Sequence, residues 1–197
     1  MRTFGDAEII KRVETTAKGF IGWLPGVYAV CVRSRDDAFD MFDDKVFIYE
    51  VEKEGSTPNF IMSMQITTNA GSYGLKHYDD YNRLGCAVLC SDTIVYGSHV
   101  FGHHKHINDA DHEAYVQAKG FPYCRDNNKN DRAEEIGQIY TDVIGANFHH
   151  AGTNSTVIKN WSVACIVAAI RARYQKFLDY MKSKGKPPLN VCILKEF

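Results

Sequence analysis

The chain has 197 residues, a formal net charge of −1 and a hydrophobic fraction of 45%. That length favours one domain, and that fraction suits a globular protein with a real core. The near-neutral charge and dispersed basic residues argue against a nucleic-acid partner, and no run approaches the ~18 apolar residues of a membrane span.

The N-terminal stretch MRTFGDAEIIKRVETT is charged throughout and has no apolar signal core. It predicts synthesis in the cytoplasm without a signal peptide. The six cysteines then read as free thiols rather than a disulfide framework. Cys31 and Cys192 sit in apolar runs and read as small core residues.

A first helix is predicted over AEIIKRVETTAKGF, with Asp6 as its N-cap and Ile9, Ile10, Val13 and Ala17 on one face. Gly19 and the Gly22–Gly26 region, with Pro25, end it. Short strands follow: VYAVCVRS, KVFIYEVE and FIMSMQITT, then GCAVLC, TIVYGSHV and FPYCRD. In KVFIYEV, Val46, Ile48 and Glu50 alternate with Phe47, Tyr49 and Val51. Both faces are largely apolar, which predicts a sandwich or a small barrel rather than a half-solvated sheet.

RDNNKNDRAEE, residues 125–135, reads as a surface loop, and TDVIGANFHH as a strand. Ile166, Ile170, Tyr174, Phe177 and Met181 recur at helical spacing, predicting a helix from near Ala168 to before Gly185. Lys182, Lys184 and Lys186 fall at its C-terminal end, where cations suit the helix dipole. LNVCILK is a closing strand. The expected architecture is α+β and strand-dominated: an N-terminal helix, residues 1–26, packed on one main domain, residues 27–197.

Chemistry concentrates in NFHHAGTNSTVIKNWSVAC, where His149 lies sixteen residues ahead of Cys165. A thiol becomes a strong nucleophile when an imidazole takes its proton. Cys165, at a strand end before a helix, is placed to attack an amide, with His149 as base and then acid. Backbone N–H groups of Ala164 and Cys165 would meet the developing oxyanion. Ser162 reads either as a hydrogen-bonding site residue or as a turn residue. A buried structural thiol beside Ile166 and Val167 is the competing reading of Cys165.

A second cluster, GHHKHINDADH, supplies His103, His104, His106 and His112 with Asp109 and Asp111. Histidine and carboxylate are the usual zinc ligands, yet the spacing matches no helical histidine pair, and a polar surface loop accounts for most of them. FDD (42–44) and RDNN (125–128) read either as substrate contacts or as turns.

The segments Asn147-Phe148-His149 and Trp161-Ser162-Val163-Ala164-Cys165 resemble the signature of the L,D-transpeptidase (YkuD-type) family. They resemble most the YkuD-like proteins of phages and Bacteroidetes-type genomes. VRSRDDAFDMFDD (32–44), ITTNAGSYGL (66–75), FGHHKHINDADHEAYVQ (101–117) and YCRDNNKND (123–131) extend the likeness over residues 27–182.

The resemblance implies a β-rich sandwich or barrel and a cysteine enzyme acting on peptidoglycan stem peptides, as a peptidase rather than a cross-linker. Cys165 is then the nucleophile and His149 the base, oriented by the carbonyl of His150, with Ser162 beside them. His103, Arg125, Asp126, Trp161 and Gly152 are the implied substrate contacts. No cofactor, metal, membrane or nucleic acid is expected. Action is expected at the bacterial cell wall, after release or within a phage particle among other phage structural proteins. Val163, Ala164 and Val167 stand where the family carries histidine, glycine and often arginine. They motivate a second reading, a virion or host-interaction protein that keeps the fold without catalysis. A third is a zinc hydrolase using the His103–His112 cluster.

Overall fold

The computed structural model describes residues 2–36, 38–105 and 112–197. Eleven strands and three α-helices follow one another as α1 (Asp6–Thr16), β1 (Gly26–Arg33), β2 (Asp44–Val51), β3 (Asn59–Thr67), α2 (Ser72–Lys76), β4 (Cys86–Leu89), β5 (Thr93–His104), β6 (His112–Gln117), β7 (Phe121–Asp126), β8 (Tyr140–Asp142), β9 (Phe148–His150), β10 (Ile166–Ala168), α3 (Arg171–Ser183) and β11 (Leu189–Lys195). Among the described residues the fold is α+β and strand-dominated.

Eight strands close a barrel in the order β1-β11-β5-β6-β9-β10-β3-β2, and β4, β7 and β8 form a separate three-stranded sheet. Among the described residues, closure leaves the barrel without an unpaired edge. Alternation along β1 explains why nearly all of it is buried. Val27, Ala29 and Cys31 join Tyr174, Phe177 and Met181 of α3 in the largest core, whereas Tyr28, Val30 and Val32 pack with Ile9 and Val13 of α1. Cys31 and Cys192 are buried in these cores.

Four expectations shift. The first helix is capped by Gly5, not Asp6, because Glu8 reaches back to accept the Gly5 N–H at 2.9 Å. Ala168 does not start the last helix but ends strand β10, which is hydrogen-bonded to β9 and β3; α3 starts only at Arg171. The expected strand over residues 141–150 is two strands in two sheets. Gly145, at φ +77°, turns the chain between β8 and β9. The histidine-rich segment read mainly as a loop contributes His103 and His104 to β5 and His112 to β6, which pair antiparallel.

The loop before Cys165 is bound tightly to the body. Gly71 N–H donates to the Ser162 carbonyl at 3.0 Å. A side chain at Gly71 would meet the Lys159 carbonyl at 2.2 Å, so only glycine allows that approach.

Candidate active site

β9 and β10 run parallel, with Ile166 opposite Phe148, Val167 opposite His149 and Ala168 opposite His150. Phe148 and Ile166 enter the main core. Alternation therefore turns His149 and Val167 to the other face, and Cys165 comes just before this strand. Consistent with this, Cys165 packs with Val167, Ala151, Phe42 and Ile158.

The His149 ring is fully buried. Its Nδ1 donates to the His150 carbonyl at 2.9 Å, which leaves the lone pair on Nε2. Nε2 has no hydrogen-bond partner among the described residues. Burial, then the neighbouring His104 ring, hold His149 well below the usual histidine range, so its imidazole is neutral at pH 7. His104 stacks on it with ring centroids 3.9 Å apart and planes 12° from parallel.

Cys165 is partly exposed. Its thiol donates to the Gly145 carbonyl at 3.5 Å, and no hydrogen bond joins it to the His149 ring. Burial of the sulfur pushes the thiol up to about 11, offset in part by the Asn147 N–H. Cys165 lies in a cleft of about 320 Å³, together with Tyr78, Tyr81, Arg125, Ile144, Val163 and Ala164. That volume accommodates a short peptide segment. Arg125 Nη1 donates to the Gly85 carbonyl at 3.1 Å, and its guanidinium lies 4.9 Å from the Tyr123 ring centre. Arg125 also lines the cleft.

The other sequence candidates are placed as follows. The Ser162 hydroxyl donates to the Cys165 carbonyl at 2.8 Å, so it builds the turn that presents the thiol. Asp126 is buried and accepts the N–H groups of Asn128 (3.2 Å) and Glu134 (2.9 Å), organising the 125–135 loop. Trp161 packs beside Phe42 and Ile158, with its ring against Gly152. His103 is exposed, and the adjacent His104 is the ring that meets His149. Asp44, in the FDD cluster, is buried and accepts three hydrogen bonds from Ser34 and Thr68.

His106, Asp109 and Asp111 lie outside the described residues. Among the described residues, no group of three or more histidine, cysteine or acidic side chains is arranged to hold a metal ion. No described helix is long and apolar enough to cross a membrane. Sequence reading missed Tyr78 and Tyr81 as cleft walls, although the run YDDYN carries them two turns ahead of β4. It also missed Asn147, whose amide bonds His104 at 3.1 Å. No family model, curated protein or solved structure matches this chain.

Proposed function

We propose that this chain is a cysteine-dependent acyl-transfer enzyme of the L,D-transpeptidase type, with a YkuD-like fold, acting on peptidoglycan stem peptides. One observation carries the reading. His149 lies opposite Val167 in a parallel strand pair, Cys165 packs against the cluster that holds Val167, and the His150 carbonyl fixes the tautomer that leaves the His149 Nε2 lone pair unpartnered among the described residues.

The steps follow from these groups. The Cys165 side chain rotates from the Gly145 carbonyl toward His149, and Nε2 takes the thiol proton. The thiolate attacks an amide carbonyl held in the cleft, and the N–H groups of Ala164 and Cys165 meet the oxyanion. The imidazolium then protonates the leaving amine, and water resolves the thioester. Arg125 offers donors to a substrate carboxylate. Hydrolysis is preferred to cross-linking, with release at the cell wall or from a phage particle as the setting.

A second reading, a virion or host-interaction protein without catalysis, is favoured by one fact: the thiol sits against a carbonyl and its ionisation is pushed up to about 11. The two readings separate on purified muropeptides. The enzyme reading expects new peptide products from the wild type and none from Cys165→Ala or His149→Gln. Equal product from Cys165→Ala, or no product from the wild type, would sink it.

A further inference from the structure

The histidine stacked on His149 is tethered so that its own protonation state is readable from the hydrogen bonds. The Gln117 backbone N–H donates to Asn147 Oδ1 at 2.9 Å. A backbone N–H can only donate, so the Asn147 carboxamide has a fixed orientation, with its NH₂ toward His104 Nδ1 at 3.1 Å. Nδ1 of His104 is therefore an acceptor, and its ring is neutral in this arrangement. His149 donates from Nδ1 to the His150 carbonyl, so its ring is neutral too. Two neutral imidazoles lie 3.9 Å apart and 12° from parallel.

Asn147 also ties this pair to the nucleophile's strand, since its carbonyl accepts the Ile166 N–H at 2.9 Å. We propose that His104 is a positioning residue: stacked on His149 and tethered to Asn147, it fixes the ring plane of the base and keeps that base unprotonated. The proposal rests on His149 being the base of Cys165. Protonating His149 places a cation against the His104 face. Protonating His104 turns an N–H against the Asn147 NH₂ group. Either event breaks the arrangement, so its loss belongs to the acid side.

Among the described residues, the titratable groups facing the pair are His112 on β6, 5.5 Å from His104 and 5.9 Å from His149 between ring centres, and His150 on β9, stacked on His112 at 4.4 Å. Tyr174 of α3 lies 5.8 Å from His150, and Cys165 packs against the cluster of Val167, which lies opposite His149. Glu113, beside His112, is paired with Lys182.

The test uses the full chain with ¹⁵N-labelled histidine. Ring resonances are titrated by NMR, and kcat and KM on muropeptides are followed against pH. His104→Ala is expected to lower kcat on the order of 10-fold or more with KM little changed, because the base is misplaced rather than the substrate released. His104→Phe keeps a stacking ring and is expected to restore most of that loss. In both variants His149 protonates at higher pH than in the wild type, and the acid limb of kcat moves up with it. His149 resonances and an acid limb unchanged in both variants would overturn the proposal. Wild-type activity that survives Cys165→Ala would instead overturn the catalytic reading. The NMR titration would still decide on the clamp.

Discussion

The Ser162 hydroxyl donates to the Cys165 carbonyl across 2.8 Å, and the Ser162 carbonyl accepts the Gly71 N–H at 3.0 Å. Ser162 is thus held at both ends, and the turn that presents the thiol is pinned to the body. Ser162→Ala leaves the Cys165 carbonyl short of a donor. It is expected to cost about 1–2 kcal/mol, read from urea unfolding. Faster alkylation of Cys165 should accompany it, because the turn loosens. Wild-type stability and alkylation rate in this variant would show that the hydroxyl does not hold the turn.

Thiol chemistry should single out Cys165. The other five cysteines are buried, whereas Cys165 is partly exposed. With its thiol pushed up to about 11, little thiolate exists at neutral pH. Iodoacetamide is expected to modify one cysteine slowly, at a rate rising about tenfold per pH unit. Peptide mapping checks the site. Rapid modification at neutral pH would mean that the free enzyme already holds an ionised thiolate, contrary to this geometry.

Stability should fall in mild acid. His99 is buried, with Nε2 against the Ala146 carbonyl at 2.7 Å, and burial lowers it to about 4; His149 is lowered in the same direction. Both rings are depressed, so the unfolded chain binds protons that the folded chain refuses between pH 6.5 and 4. Their contribution is present above pH 6.5 and is lost as pH falls through that window, by about 3 kcal/mol for His99 alone. Urea midpoints at pH 7.5, 5.5 and 4.5 measure this, and His99→Gln should flatten the slope.

Asp44 holds the barrel rim beside β3. Its Oδ1 accepts the Ser34 N–H at 2.8 Å, and its Oδ2 accepts the Thr68 N–H at 2.7 Å and hydroxyl at 2.6 Å. Both oxygens face backbone N–H donors, so an amide fits in neither orientation. Asp44→Asn is expected to destabilise the fold by about 2–3 kcal/mol in urea unfolding, because one backbone donor then meets an NH₂ group. A variant as stable as the wild type would show that water satisfies the site.

Particular residues show what was legible in the sequence. The alternation in KVFIYEV announced a sheet covered on both faces, and β2 has Val46 and Ile48 in one core and Phe47 and Tyr49 in the other. Tyr174, Phe177 and Met181 announced α3 by their spacing and are buried there. β10 was illegible because three residues carry no periodicity. Their strand state comes from partners at Phe148–His150 and Ile66–Thr67, far away in sequence.

Local sequence determined most of the elements, because apolar period and turn residues act over a few neighbours. It also supplied the candidate pair, His149 and Cys165, as residue types at a spacing. Only the tertiary structure decided their relation. Strand register put His149 opposite Val167, two residues from Cys165, the His150 carbonyl chose the tautomer, and Gly145 took the thiol's hydrogen bond. The same packing brought His104, forty-five residues upstream, onto the His149 ring. Pairing between distant strands depends on barrel closure, which no short window of residues encodes.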